Sequence, residues 1–297
     1  MLTGVDLGGT KIEAAVLGDD GAVLARHRVP TPKGQYDATI EAVAAAVRVA
    51  ETQAGGGGPH IGMGVPGSPS PRSGLMRNCN STVLNGRPLA ADLRAATGRE
   101  IRMANDANCL ALSEATDGAA AGVTCVFAVI LGTGVGGGIV IDGRLLEGAN
   151  GIGGEWGHIP LPWPTEQERS ARTCWCGRTD CLETWLSGPA IESEWAGEGR
   201  PPLPATTIAS AHADADVPRR WVDRLARATA VVIDLIDPDV IVVGGGLNAI
   251  EAIYTEVPKL WPGLVFSDAV DTRIVPAMHG DASGVRGAAR LPARYSS

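Results

Sequence analysis

The sequence contains no apolar run approaching the ~20 residues a membrane-spanning helix needs, and no basic amino-terminal segment leads into an apolar one. A soluble, cytoplasmic protein is expected. Positive charge is also in short supply: 25 Lys plus Arg stand against 33 Asp plus Glu, a net charge of -8 that repels phosphate backbones and anionic lipid. Neither nucleic acid nor membrane is an expected partner. Six cysteines in 297 residues are too few for a disulfide scaffold, yet three of them crowd into CWCGRTDCLE, residues 174–183. In a reducing compartment, thiols clustered in this way hold metal. Glycine, with forty residues, is abundant, and its positions organise the rest. A chain of this length can bury two cores, so two domains around a cleft are expected.

The segment GVDLGGTKIEAAVLGDDGAVL reads as strand, glycine turn, strand, Asp-Gly turn and strand, an antiparallel start. From Val123 the pattern returns in CVFAVILGTGVGGGIVIDGRLL, so the two halves are related. Between them, Asp37 is placed to cap a helix through Ile40, Val43, Val47 and Ala50 that the glycines from Gly55 end. A strand over 60–65 and a long Pro-, Gly- and Asn-rich loop follow. Pro88 then opens a helix closed by Gly98, and Asn105 and Asp106 sit where the next strand meets a helix, a position that favours ligands. A helix from about Trp221 to Ile236 leads into a buried strand and the turn Gly244, Gly245, Gly246.

Gly132, Gly134 and Gly137 satisfy G-x-G-x-x-G, but Ile139, Val140 and Ile141 continue as a strand where a dinucleotide fingerprint requires a helix. No G-x-x-x-x-G-K-[ST] loop occurs either. What remains is a duplicated glycine hairpin whose backbone N–H groups can approach an anion, with Thr10, Lys11 and Thr133 as further donors. Such turns suit the phosphates of a nucleotide. Asp6, ending the first buried strand, requires a compensating partner, for which Mg²⁺ is the expected one.

Cys174, Cys176 and Cys181 can form three corners of a tetrahedron, and His158 in GEWGHIP, sixteen positions before Cys174, supplies the fourth. A closed Cys₃His shell is structural zinc. Glu155 and Glu183 flank that site, and with Asn105 they make a set of acceptors suited to the vicinal hydroxyls of a sugar. Trp156, Trp163 and Trp175 are expected to pack the loop, with stacking on the sugar as the alternative.

Taken together, DLGGTK, AND at 104–106, LGTGVGGG, GEWGH, CWCGRTDCLE and VVGGG resemble the ROK family of sugar kinases and repressors over essentially the whole chain. The resemblance implies an α/β fold of the actin and hexokinase (ribonuclease H-like) type, two domains around a central cleft. Residues 1–117, joined by a C-terminal helix at about 281–297, would form one domain, and 118–280 the other. Within the family, GVPGSPSPRSGLMRNCNSTVLNGRPL and HGDASGVRGAARL look most like bacterial fructokinases. By that likeness Asp106 is the catalytic base, and Gly67, Asn80, Asn105, Glu155, His158 and Glu183 contact the sugar. The turns Gly9–Lys11, Gly132–Gly134 and Gly244–Gly246, with Asp6, would hold MgATP, and the protein is expected to be a homodimer. The implied reaction is transfer of the γ-phosphoryl group of ATP to the 6-hydroxyl of fructose, with glucose, mannose or an N-acetylhexosamine as alternatives; a non-catalytic sugar sensor is the lesser alternative, since Asp106, Thr10 and Thr133 are all retained. Asp106 is also placed to cap its helix. Only three residues precede Gly4, so a repressor's helix-turn-helix is not expected. Two positions depart from the family: Asp180 stands where glycine is usual and tolerates a left-handed backbone, and Ile159 stands where fructokinases carry Asn.

Overall fold

The computed structural model describes residues 1–213 and 215–292. Two five-stranded sheets share one topology. The first contains β1 (Leu2–Leu7), β2 (Lys11–Leu17), β3 (Val23–Pro30), β4 (Ile61–Val65) and, beyond the two-stranded ribbon of β5 (Ser68–Pro69) and β6 (Met76–Arg77), β7 (Ile101–Asn105). The second contains β8 (Cys125–Leu131), β9 (Val135–Ile141), β10 (Arg144–Leu145), β11 (Val240–Gly244) and β12 (Arg273–Pro276). Their orders, β3-β2-β1-β4-β7 and β10-β9-β8-β11-β12, correspond strand for strand. In each, the first three strands make an antiparallel meander and the last two add in parallel. The repeat read from the two glycine hairpins is thus a repeat of a whole sheet.

Ten helices are described: α1 (Tyr36–Ala54), α2 (Leu89–Thr97), α3 (Asp106–Asp117), α4 (Glu183–Leu186), α5 (Gly188–Gly197), α6 (Ala205–Ala211), α7 (Asp216–Ile236), α8 (Ala252–Thr255), α9 (Val257–Leu260) and α10 (Ser283–Arg290). None of the described helices is long and apolar enough to cross a membrane. Helix α1 buries Ile40, Val43, Val47 and Ala50 and stops at Gly55, whose φ of 75° is left-handed. Its cap position is Gln35, without a side-chain bond. Asp37 lies within the first turn and contributes only charge at the positive end of the helix.

The lobes are filled differently. Around the first sheet the buried set is aliphatic, with Tyr36 and Met63 among its largest members. The core of the second buries Trp156, Trp185, Trp195, Trp221 and Trp261. Each such indole removes ~200 Å² from water and stabilises the lobe by several kcal/mol. Helix α7 also carries Arg224 and Arg227 inward, where both meet the buried Glu168, at 2.7 and 2.8 Å. Arg227 further donates to the carbonyls of Pro162 and Trp163, tying the loop after His158 to α7. These ion pairs hold Glu168 down to about 2 against its burial.

Helix α10 lies against β1, β4 and α3. The contact is backbone to backbone, because a Cβ on Gly4 would lie 2.4 Å from the Val285 carbonyl oxygen and one on Gly287 1.8 Å from that of Cys109. Residues 293–297 of the expected C-terminal helix lie outside the described residues.

Candidate functional site

At the carboxyl end of β7 the chain turns directly into α3. Asn105 is the cap: its Oδ1 accepts from the Asn108 N–H at 2.8 Å. This corrects the expectation that Asp106 caps the helix. Asp106 occupies the first helical position, where one carboxylate oxygen accepts the N–H of Ala107 at 2.8 Å. Its side chain opens to solvent but is crowded by protein on its other sides. That crowding raises its pKa, opposed by the hydrogen bonds of the first-turn N–H groups.

Asp6 faces the same space from the end of β1. Burial first, and then the charge of Asp106, push it up to about 6, with Lys11 opposing. A buried carboxylate whose proton affinity is raised by a second carboxylate suits a divalent cation, so the donor set fits the Mg²⁺ that accompanies a nucleotide.

Helix α3 comes this close to the second lobe because β9 is almost bare. A Cβ on Gly138 would lie 2.6 Å from the Ala107 carbonyl oxygen, and one on Gly136 would lie 3.2 Å from the Ala107 methyl. On Gly137 it would lie 2.7 Å from the carbonyl oxygen of Gly154, at the head of GEWGH. Gly154 itself has φ 88°, and the Trp156 indole donates to the Gly136 carbonyl at 2.8 Å. Gly136, Gly137 and Gly138 therefore dock α3 on one side and the Glu155 segment on the other. Only the preceding Gly132–Gly134 form the turn.

This docking brings Asn105 Nδ2 to 3.1 Å from Glu155 Oε1, a bond that joins the lobes beside Asp106. Burial raises the pKa of Glu155, as does Asp106, while Asn105 and Arg77 oppose the rise. Arg77 reaches from β6 to the carbonyl of Asn150 across the site. It is a site residue that the sequence reading missed, since a lone Arg in a polar loop carries no signal of its own.

The metal expectation has a geometric counterpart. One ligand atom each from His158, Cys174, Cys176 and Cys181 lies within 4.8 Å of all the others. Zn–S bonds of ~2.3 Å place tetrahedral sulfurs ~3.8 Å apart; the Sγ atoms of Cys176 and Cys181 are separated by 3.7 Å, and Cys174 Sγ lies 3.6 Å from His158 Nδ1. The set fits zinc. Asp180 has φ 56°, the left-handed conformation that glycine would adopt. Its Oδ1 accepts the Arg172 N–H at 2.9 Å, a local bond that steadies the turn.

Glu183 departs from a freely offered acceptor. One oxygen accepts the Val135 N–H at 2.9 Å, just past the second glycine turn, and the other accepts from the Trp175 indole. Trp175 itself is 57% exposed and does not pack the loop as expected. Trp163, 54% exposed, does not either, whereas Trp156 is buried. Gly67 is glycine for space, since a Cβ there would lie 2.6 Å from both the Arg77 carbonyl oxygen and the Cys79 sulfur. Asn80 is exposed, and Asn85 bonds both backbone groups of Cys79, shaping the turn.

The three glycine turns are dissimilar. Gly9 and Thr10 form an exposed hairpin tip closed by Gly8 N–H to the Lys11 carbonyl at 2.9 Å. The ammonium of Lys11 lies 3.9 Å from the buried Glu13. Gly132–Gly134 are instead held by later segments, through Gly188 N–H to the Gly132 carbonyl at 2.7 Å and Leu247 N–H to that of Leu131 at 3.0 Å. Gly245, with φ 84°, rests on Leu131, so the second and third turns form one surface. A concavity of about 990 Å³ lies elsewhere, between α7 and the far ends of β11 and β12, lined by Asp237, Asp239 and Asp271, and holds none of these residues.

Two lobes of one topology, with a strand-to-helix carboxylate and glycine turns between them, define a fold of the actin and hexokinase type. The sequence matches the ROK family over residues 2–294, and the chain belongs to that family. The N-acetyl-D-glucosamine kinase of Escherichia fergusonii is 38% identical over 305 residues, covering 98% of this chain and 99% of that one. A ROK hexokinase from Thermus thermophilus superposes with a TM-score of 0.83 at 34% identity, covering 97% of this chain and 96% of that one. A ROK family glucokinase from Streptomyces griseus, solved with glucose and AMPPNP, gives 0.79 at 27% identity over 98% of each chain.

Proposed function

We propose that this protein is an ATP-dependent hexose kinase whose preferred substrate is an N-acetylhexosamine, N-acetyl-D-glucosamine first. The observation that carries the kinase reading is the Asn105–Glu155 bond at 3.1 Å, which sets an amide donor and a carboxylate acceptor from opposite lobes beside the exposed carboxylate of Asp106. The substrate reading rests on the relatives named N-acetyl-D-glucosamine kinase, 38% identical over nearly the whole chain. They favour that sugar over the fructose suggested by the loop resemblance.

In this reading the sugar lies against Asn105, Glu155 and His158, with its 6-hydroxyl toward Asp106. The hydroxyl oxygen bonds to the γ-phosphorus as the bond to the bridging oxygen of ADP breaks, and Asp106 takes the proton. Crowding raises the pKa of Asp106, the direction that makes it a stronger proton acceptor. The Gly132 N–H closes its own turn on the Gly134 carbonyl, so the backbone of Thr133, Gly134, Gly245 and Gly246 would receive the phosphates, with the side chains of Thr10, Lys11 and Thr133 at the margins. Asp6 would hold Mg²⁺, which neutralises phosphate charge. His158, Cys174, Cys176 and Cys181 would hold zinc, whose closed shell fixes the backbone carrying Glu155 and Glu183. The same reading divides the chain at 117/118 and 280/281 and gives a homodimer.

A coupled ADP-release assay across N-acetylglucosamine, N-acetylmannosamine, glucose, mannose and fructose tests it. Preference for an N-acetylated sugar by at least ~10-fold in kcat/KM is expected. A preference for fructose returns the substrate to the reading from the loop, and no turnover with any hexose removes the kinase.

A further inference from the structure

Trp175 occupies an unusual place for an indole, between two of the zinc ligands and 57% exposed. The packing of the knuckle is supplied by other residues. Trp185 is buried beneath it with the Arg172 guanidinium stacked 3.6 Å from its ring centre, and Leu182 is fully buried. The ring contact recorded for Trp175 is with His158, edge-on at 5.1 Å and 82°. Its N–H is committed to Glu183, whose other oxygen holds the backbone of Val135. An indole pinned by its nitrogen and leaving a broad apolar face in water is poorly explained by stability, since burial would gain ~25 cal/mol per Å². It is well explained as the wall of a site that takes a ligand with both polar edges and an apolar face.

We propose that Trp175 is a positioning and specificity residue of the sugar site: its N–H fixes the carboxylate of Glu183, and its exposed face lies along the C–H face of the bound sugar. This rests on the hexose-kinase reading. Glu183 then presents its remaining lone pairs in one orientation, with Val135 and Trp175 as two fixed anchors. Trp175 takes no part in the chemistry, so its loss alters sugar binding and leaves phosphoryl transfer and nucleotide binding in place.

The test uses the zinc-loaded protein with W175F, which keeps a ring and loses the donor, and W175A, which loses both. For W175F, KM for the preferred sugar should rise about fivefold or more, the loss of one hydrogen bond to a charged group, and W175A should rise further. The kcat and KM for ATP should stay within about twofold of wild type, as for loss of uniform binding. Saturating sugar should change tryptophan emission in the wild type, and W175F, with its six remaining tryptophans, should lose most of that change. Zinc content separates the site role from a structural one. If W175A loses metal, the same readouts on W175F decide. Sugar KM unchanged in W175F, or KM for ATP rising in step with it, overturns the proposal. A wild type that phosphorylates no hexose overturns the parent reading and this role with it, whereas an active wild type with unaffected variants overturns this role alone.

Discussion

At the tip of the first hairpin a Cβ built on Gly9 meets nothing within 4 Å and one on Gly8 meets only Lys11 of the same hairpin, whereas on Gly132, which matches Gly8 in the second hairpin, it would lie 3.5 Å from the Gly246 nitrogen, and that turn is pinned from behind by Gly188 and Leu247. One repeated motif has been placed in open space and the other in a buttress. The difference assigns them different work on a phosphate chain. The buttressed turn offers fixed N–H groups, which gain from being preorganised. The open one offers the side chains of Thr10 and Lys11 on a tip that is free to shift with the ligand.

Between the two hairpins stands Asp106, and its replacement is the largest effect expected. D106N should lower kcat by ~10² or more in the ADP-release assay. Because Asn105 provides the cap, the variant should fold as well as wild type. A rate within tenfold of wild type would show that another group accepts the proton.

Next comes the metal knuckle, which reaches the buttressed hairpin through Glu183. C176S should lose zinc and raise the sugar KM ~10-fold or more, the usual scale for losing support behind a binding group. Undiminished sugar affinity in a zinc-free preparation would detach the knuckle from the site.

The hairpins themselves can be set against one another with two alanines. At Gly245 the left-handed φ of 84° and a Cβ 2.3 Å from the Leu131 carbonyl oxygen force the shared surface to move. G245A should raise KM for ATP by ~10-fold, as for other strained backbone sites. G9A, which meets no atom, should change it by less than ~2-fold. Equal effects at the two positions would erase the distinction between open and buttressed turns.

Smallest is a pH effect on stability in the first lobe. Asp6 is raised to about 6 from an ordinary 3.8, so the folded state binds its proton more tightly than the unfolded chain. Stability is therefore lost as pH rises from ~4 through 6, and D6N, unable to ionise, escapes that loss. Melting temperatures of D6N and wild type should coincide near pH 4 and separate by a few degrees, ~2–4 °C, in favour of D6N at pH 8. A gap independent of pH would mean that Asp6 is not strained by its charge.

Much of this was legible in the sequence where a signal is local. The two hairpins, the strand-to-helix step at Asn105 and Asp106, the Gly55 and Gly98 stops, and the three clustered cysteines all follow from spacing within a few residues. The unread parts depend on what approaches from a distance. Nothing local shows that Gly136, Gly137 and Gly138 are small because α3 and GEWGH press on opposite faces of β9. Nor does it show that Glu183 is already bonded on both oxygens. The capping error at Asp37 has the same origin, because tertiary burial of Tyr36 and Thr39 draws the helix start back to Gln35. Preference among hexoses is weaker still, resting on a few hydrogen bonds that sequence does not order in space.

Helix α10 seats itself on β1 and β4 so closely that Gly4 and Gly62 cannot be anything larger. That seat closes the first lobe through a contact between segments far apart in sequence, so β1 and β4 keep one face uncovered until α10 docks, and this lobe is expected to complete its fold slowly.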